Sequence, residues 1–224
     1  MEWSVVILGI VAQSTFILVD RKGRYTLAGV LKGLASLLFC ILGWVEMQNA
    51  HNPEFASCIE IGLILGMLGD IGMHLRLIFP KSKTITMGIG TAFFLLGHVL
   101  YMLALLPIET GALIYALTAG VILCAALAMC IIRKVTVKGV LKTLGTCYFL
   151  IICIMVSVAV TLHIMEPKST PRLLFAVGAT LFIVSDIIMT LNLFLPNPKK
   201  WYRPVNLFVY YIGQLLIAMT VHSM

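Results

Sequence analysis

Two aspartates, Asp70 and Asp186, lie inside long apolar runs of the sequence. An ionised carboxylate is unfavourable in such surroundings, so an ionisable residue within a membrane-spanning segment is first considered as a functional residue that needs a partner. Aligning the chain with itself at an offset of 116 residues superposes the two aspartates and also superposes Pro80 on Pro196. Two carboxyl groups at related positions predict acid–base chemistry in one pocket.

Two buried carboxyl groups with unlike neighbours can divide the roles of acid and base between them. Apolar surroundings favour the neutral form of a carboxyl group, whereas a nearby lysine favours the ionised form. Enzymes that cleave glycosidic bonds through an oxocarbenium-like state use this division. A hydrophobic substrate that arrives from the bilayer and carries an enol ether or acetal oxygen suits such a pair. The sequence leaves open which aspartate takes which role.

The elements that position these residues must be membrane-spanning helices. The chain of 224 residues is 61% apolar and 11% charged, whereas a soluble domain is about 45–50% apolar and about 25% charged. Its apolar runs have roughly the 20 residues that a helix needs to cross a bilayer, and an open sheet is not viable in lipid. We therefore predict an all-α polytopic membrane protein with eight transmembrane helices. The predicted helices cover 3–19, 26–45, 56–79, 85–106, 111–132, 140–163, 172–195 and 204–221.

The basic residues predict how these helices are oriented. Most of them lie in the loops after the first, third, fifth and seventh runs, and the positive-inside rule places such loops in the cytoplasm. Both termini are then on the non-cytoplasmic side, and the cell membrane is the expected location. The net charge of +7 is explained by topology, so no nucleic-acid partner is expected. The basic residues in these loops are Arg21, Lys22, Arg24, Lys81, Lys83, Arg133, Lys134, Lys138, Lys199, Lys200 and Arg203.

The offset of 116 residues predicts an internal repeat. Further pairs at this offset are Gly62 with Gly178, Gly97 with Gly213, and Lys32 with Tyr148. We predict a single membrane domain, 1–224, that consists of two parallel four-helix halves, 1–110 and 111–224. Each aspartate would lie about nine residues, or roughly 13 Å, from the cytoplasmic end of its helix. The alternative is a chance alignment of two helices of similar length.

Each of the other buried polar residues has both a functional and a structural interpretation. Lys32 either pairs with one of the aspartates or extends to the cytoplasmic headgroups. His98 either acts in a site or is a core histidine that joins two helices, and Arg76 is expected to reach a lipid phosphate or headgroup. His74, one turn after Asp70, either orients it or packs, and Glu60 is expected at the outer interface. For the aspartates themselves, the alternative is an interhelical hydrogen bond or an ion pair with Lys32.

The sequence resembles the YhhN-like family of multi-pass membrane proteins, the lysoplasmalogenases. The residues that carry the resemblance are Lys32, Gly69-Asp70, Gly97-His98, Tyr101, Tyr148, Gly178, Phe182, Ser185-Asp186, Tyr210-Tyr211 and Gln214. Their order and spacing cover most of the chain. The resemblance implies hydrolysis of the vinyl ether bond of lysoplasmalogens, which releases a fatty aldehyde and glycerophosphoethanolamine or glycerophosphocholine. No cofactor is expected, and the expected partner is a lipid substrate from the bilayer.

This resemblance and the paired carboxyl groups give one hypothesis for the mechanism. One aspartate protonates the β-carbon of the vinyl ether, and the other activates water to attack the α-carbon. Lys32 would hold one aspartate ionised or contact the lipid phosphate. The residues expected to position the ether oxygen and the water are His98, Tyr101, Tyr148, Tyr210, Tyr211 and Gln214.

Two other classes of function use similar residues. A transporter or proton-coupled carrier would also need intramembrane Asp and Lys, but we would then expect discontinuous helices. A metal-dependent hydrolase would need histidine ligands, and His74 and His98 alone form a small set without an HExxH motif. The six cysteines have no CxxC pair and are expected to be small packing residues.

Overall fold

The computed structural model describes residues 2–106, 110–132, 135, 137 and 139–223. Within these residues the chain forms eight α-helices, one short 3-10 turn at Pro80–Ser82 and no strand, which confirms the all-α prediction. The loop residues Arg133, Lys134 and Lys138 lie outside the described residues. The helices are α1 (Glu2–Arg21), α2 (Tyr25–Met47), α3 (Pro53–Ile78), α4 (Lys83–Leu105), α5 (Thr110–Ile132), α6 (Val140–Met165), α7 (Thr170–Phe194) and α8 (Tyr202–Ala218).

The helix ends agree with the predicted ends to within three residues, and local chemistry explains the larger differences. Helix α3 begins three residues earlier than predicted because the Asn52 side chain caps it. The side-chain oxygen of Asn52 accepts a hydrogen bond from the Phe55 backbone N–H at 3.1 Å, and Pro53 takes the first helical position. Gly23 has a φ of +73° in the turn between α1 and α2, a conformation that glycine adopts without strain.

The described helices make this an integral membrane protein. Seven of them, α1 to α7, are long and apolar enough to cross a bilayer. Helix α8 has 17 residues, which corresponds to about 25 Å and to the lower limit for a membrane span. We use the term inner end for the end of the bundle at which α1, α3, α5 and α7 finish and α2, α4, α6 and α8 begin. This is the end predicted to be cytoplasmic.

Helices pack in the same order in the two parts of the chain. Helices α1 to α4 pack each against the next, and so do α5 to α8. The two groups are joined where α4 packs against α6 and where α8 packs against α2, α1 and α3. Since α4 corresponds to α8 and α2 to α6 at the predicted offset, the α4–α6 and α8–α2 contacts are equivalent. The arrangement agrees with the predicted repeat, which stays a prediction.

Glycine pairs allow two helix pairs to approach until their backbones touch. A Cβ built on Gly97 of α4 would lie 3.0 Å from the Gly62 carbonyl oxygen of α3. A Cβ built on Gly213 of α8 would lie 2.9 Å from the Gly178 carbonyl oxygen of α7. Small residues permit close helix approach in membranes, where helices gain little from the hydrophobic effect. These contacts fix α3 and α7, the helices that carry the two aspartates.

Candidate active site

Asp70 lies in α3 with its side chain only 1% exposed, and three groups contact its carboxyl. The Lys32 Nζ of α2 is 2.8 Å from Oδ1. Ser36 Oγ and Tyr210 Oη donate hydrogen bonds to Oδ2 at 2.6 Å and 2.9 Å. A cation and two donors stabilise the ionised carboxylate, since hydrogen bonds to charged groups are the stronger ones. Of the alternatives for Lys32, the structure therefore shows the ion pair with Asp70.

Asp186 lies in α7 and has a different set of neighbours. It is 4% exposed, and its Oδ2 accepts a hydrogen bond from Tyr148 Oη of α6. Within the described part of the chain, no lysine or arginine forms an ion pair with this carboxyl. A buried carboxyl group with one neutral donor and no cation favours the protonated form. The two aspartates are therefore both buried but unlike in their partners.

One cavity joins the two aspartates. Asp70, Asp186 and Tyr210 all line it. It holds about 520 Å³ of empty space, counting its open mouth. Each aspartate lies eight residues before the end of its helix, α3 or α7, or about 12 Å from the inner end. The equal depth predicted for the pair is therefore present in the fold.

Arginines line the same cavity nearer the inner end. Arg203 is held by Asp20 of α1, whose two carboxylate oxygens accept hydrogen bonds from Nε and Nη2 at 2.5 Å and 2.7 Å. Arg76 is 9% exposed, and its Nη1 donates to the Met73 carbonyl oxygen. Among the described residues, no carboxylate forms an ion pair with Arg76. A buried guanidinium that faces a cavity without a carboxylate partner is suited to an anionic ligand.

Three candidate residues hold Tyr210 and Ser36 from behind the cavity. Gln214 Nε2 donates to Tyr210 Oη at 3.2 Å, and Tyr101 Oη donates to Gln214 Oε1 at 3.1 Å. Tyr211 Oη lies 2.8 Å from Ser36 Oγ. Because Tyr210 and Ser36 both contact Asp70, this network positions that carboxylate through its partners.

Among the described residues, one ring nitrogen of His98 has a hydrogen-bond partner and the other has none. Its Nδ1 donates to the Phe94 carbonyl oxygen at 2.6 Å, so Nε2 carries the lone pair. The Nε2 atom is buried and has no hydrogen-bond partner among the described residues. The ring contacts Tyr148 and Phe182 edge-on, with centroids 5.4 Å and 4.4 Å apart. His98 is therefore placed beside the Tyr148–Asp186 pair with an acceptor that still needs a donor.

The structure also shows which alternative holds for His74 and where the Glu60 side chain lies. Of the alternatives for His74, the structure shows packing: its ring contacts Phe16, and its Nε2 donates to the Tyr25 carbonyl oxygen at 2.8 Å rather than to Asp70. Glu60 does not extend to the outer interface. Its side chain is buried, with 7% exposure, against Gly43 of α2, and Oε2 has no partner among the described residues.

The six cysteines form no disulfide, and the potential metal ligands of the described residues are not grouped. All six cysteines are free, and two of them, Cys40 and Cys153, are buried as packing residues. Cys130 and Cys147 are exposed on the helix surface instead. In the part of the chain that the structure describes, no three His, Cys, Asp or Glu side chains are grouped as a metal site would require.

Sequence reasoning missed several polar residues of the site. Ser36 carried a usable signal, because it follows Lys32 by four residues and so lies on the same helix face. Asn206 joins α8 to α7, since its Nδ2 donates to the Ser185 carbonyl oxygen at 2.8 Å. Arg203 was expected in a loop, whereas it is the second residue of α8 and lines the cavity. Single serines and asparagines are common in apolar runs, so their types alone did not identify them.

The fold and the cavity define a polytopic membrane protein with a polar, two-carboxylate site within its helix bundle. The sequence profile of the YhhN family matches residues 27–221, and the chain belongs to the YhhN family. This match covers every residue that lines the cavity. Comparisons with curated proteins and with solved structures found no match.

Proposed function

We propose that the protein is a membrane-embedded hydrolase that cleaves the vinyl ether bond of lysoplasmalogen-like lipids to a fatty aldehyde and a glycerophospho-alcohol. The observation that carries the proposal is the pair of buried aspartates on one cavity with unlike partners. An enol ether needs a proton on carbon and an activated water, and this pair supplies both.

The partners of each carboxyl group assign its role. Asp70 is the general base, because Lys32 and two hydroxyl donors stabilise its carboxylate form. Asp186 is the general acid, because it is buried beside Tyr148 without a cation. Asymmetric environments of this kind divide acid and base between two carboxyl groups in one site.

The steps then balance in protons and electrons. Asp186 transfers its proton to the β-carbon, and the ether oxygen lone pair forms the oxocarbenium ion. Asp70 removes a proton from water as the oxygen bonds to the α-carbon, which gives the hemiacetal. In the collapse, the hemiacetal hydroxyl returns a proton to Asp186, and Asp70 protonates the departing glycerol oxygen. Both carboxyl groups end in their starting states.

Two further residues fit the needs of this reaction. Arg76 faces the cavity about six residues, or roughly 9 Å along α3, from Asp70, and its guanidinium suits the phosphate of the substrate. His98 offers an unpaired acceptor beside Tyr148. Because His98 itself does not line the cavity, we assign it to position the Tyr148 ring beside Asp186.

The continuity of the helices favours a hydrolase over a carrier. Helices α3 and α7 run unbroken through their aspartates. Carriers of the repeat-built type bind substrate where helices are interrupted near the middle of the bilayer. An aspartate on a continuous helix is held in a fixed position, which suits proton transfer to one carbon atom.

The test is aldehyde release from a lysoplasmalogen by purified Asp70→Asn and Asp186→Asn variants. Each substitution keeps the side-chain shape but removes proton transfer, so we expect the rate to fall by about 10²–10⁴-fold. Glu60→Gln is the matched control, because it changes another buried acid of α3 that does not line the cavity. An ester lysolipid assayed for fatty acid tests bond specificity. Aldehyde release at the parent rate by either aspartate variant would show the proposal to be wrong.

A further inference from the structure

A second, apolar cleft lies beside the polar cavity. It is formed by α4, α6 and α7 and holds about 530 Å³ of empty space, counting its open side. Thr91 of α4, Gly145 of α6 and Leu193 of α7 are among its lining residues. These three are half-buried, which places them at the edge where the cleft opens from the bundle.

The cleft adjoins the polar cavity. Met73, Phe94 and Met189 line both spaces. Tyr148 lines the apolar cleft and donates its hydroxyl hydrogen to Asp186 in the polar cavity. A molecule that extends from one space into the other would therefore pass Asp186 at the junction.

The two spaces differ in chemistry in a way that defines their occupant. The polar cavity contains Arg76, a buried cation without a carboxylate partner among the described residues, and so accepts an anionic group. The cleft offers chiefly methionine, leucine and phenylalanine side chains and so accepts a hydrocarbon chain. The groups that a ligand must carry, from one end to the other, are an anion, a short polar link at the aspartates and one alkyl chain.

From this we infer that the α4–α6–α7 cleft binds the single hydrocarbon chain of a phosphate-bearing amphiphile while its headgroup lies at Arg76. The inference rests on the proposed function, because it places the bond to be cleaved at the junction beside Asp186.

Photocrosslinking tests this binding without depending on hydrolysis. The probe is a 1-O-alkyl lysophosphoethanolamine with a diazirine in its alkyl chain, presented to the full-length protein in phosphatidylcholine nanodiscs. A saturated ether is not cleaved as an enol ether, so labelling reports binding alone. We expect labelled peptides from the cleft walls, at 87–94, 141–149 and 189–194. Labelling confined to other helix surfaces would overturn the inference.

Two glycines provide a matched pair of variants. A Cβ added at Gly145 or at Gly88 meets no atom within 4 Å, so both positions accept a larger side chain. Gly145 lines the cleft, whereas Gly88 lies on α4 outside it. We expect Gly145→Leu to reduce labelling at least tenfold and Gly88→Leu to leave it unchanged. Equal labelling of the two variants would contradict the inference.

A second variant and a second measurement keep the inference testable even if Gly145→Leu misfolds. Thr91→Leu fills the cleft from the opposite wall and is expected to reduce labelling as well. Aldehyde release from a lysoplasmalogen is measured on the same samples. If the parent protein labels in the cleft but releases no aldehyde, the proposed hydrolysis fails and the binding inference stands. If it releases aldehyde but labels only elsewhere, the binding inference fails alone.

Discussion

Lys32 and Tyr148 hold equivalent places in the fold, because each contacts the aspartate that lies 38 residues further along the chain. The contact is an ion pair in one case and a hydrogen bond from a neutral hydroxyl in the other. Two positions that the predicted repeat pairs thus provide a charged partner for one carboxyl group and an uncharged partner for the other. This difference is the physical basis for assigning base and acid.

Removing the lysine is expected to damage both stability and activity. Lys32→Met leaves a buried carboxylate without its cation, a change that costs about 3–5 kcal/mol when a buried pair is broken. Thermal unfolding in detergent should show a lower Tm for Lys32→Met, and adding Asp70→Asn should recover part of that loss. If the fall in Tm of the double variant equalled the sum of the falls in the two single variants, Lys32 and Asp70 would not be directly coupled.

Removing the tyrosine hydroxyl is expected to affect activity more than stability. Tyr148→Phe deletes the hydrogen bond that Asp186 Oδ2 accepts from Tyr148, so aldehyde release should fall roughly tenfold, as for the loss of about 1.4 kcal/mol. Tyr115→Phe is the matched control, since Tyr115 is 78% exposed on α5. An unchanged rate in Tyr148→Phe would remove Tyr148 from the site.

Arg76 is expected to govern substrate binding. Arg76→Met should raise KM for a lysoplasmalogen while kcat changes little, because the phosphate contact is made in both ground and transition states. Arg172→Met is the control, because Arg172 does not line the cavity. Its guanidinium forms an ion pair with Glu166 at 3.0 Å. A drop in kcat at constant KM would instead place Arg76 in the chemical step.

The glycine contacts between helices are expected to be required for stability. Gly178→Ala and Gly97→Ala each place a Cβ 2.9–3.0 Å from a backbone carbonyl oxygen of the neighbouring helix. Overpacking of this kind costs about 1–3 kcal/mol, so the Tm of both variants should fall. Gly111→Ala should not lower the Tm, because a Cβ there meets no atom within 4 Å. Equal Tm values for all three variants would show that the neighbouring helices can move apart enough to accommodate the added Cβ.

The predicted topology can be tested with a membrane-impermeant maleimide on intact cells. Ser169→Cys, between α6 and α7, should react from outside, and Ser82→Cys, between α3 and α4, should react only after lysis. The background replaces the exposed Cys130 and Cys147 with serine. The reverse labelling pattern would place the inner end outside the cell.

The helices and the aspartate pair were predictable because both depend on strong local signals. Apolar runs near 20 residues define spans, and a carboxylate in such a run is rare enough to be noticed. His74 was harder, because residues four apart on a helix differ by about 40° in direction. The sequence does not show that the Tyr25 carbonyl oxygen of α2 is the hydrogen-bond partner of this ring.

The partners supplied by distant segments could not be predicted from the sequence. Tyr210 contacts Asp70 across 140 residues, and Arg203 contacts Asp20 across 183. Periodicity reports which face of a helix is polar but not which helix faces it. The pairing of α2 with α8 is set by packing of the whole bundle, so Ser36 and Tyr211 meet only in three dimensions.

The ion pair between Asp20 and Arg203 can form only late in synthesis, because it needs α8. It joins α1 to α8, and Gln13 Nε2 adds a hydrogen bond to the Leu207 carbonyl oxygen at 3.1 Å. A ribosome-bound chain that has inserted α1 to α7 still lacks both Arg203 and Tyr210. Asp70 then has Lys32 but lacks the Tyr210 donor, and Asp20 has no counter-charge from Arg203. Insertion of α8 is therefore the step that converts a set of membrane hairpins into a closed, competent bundle.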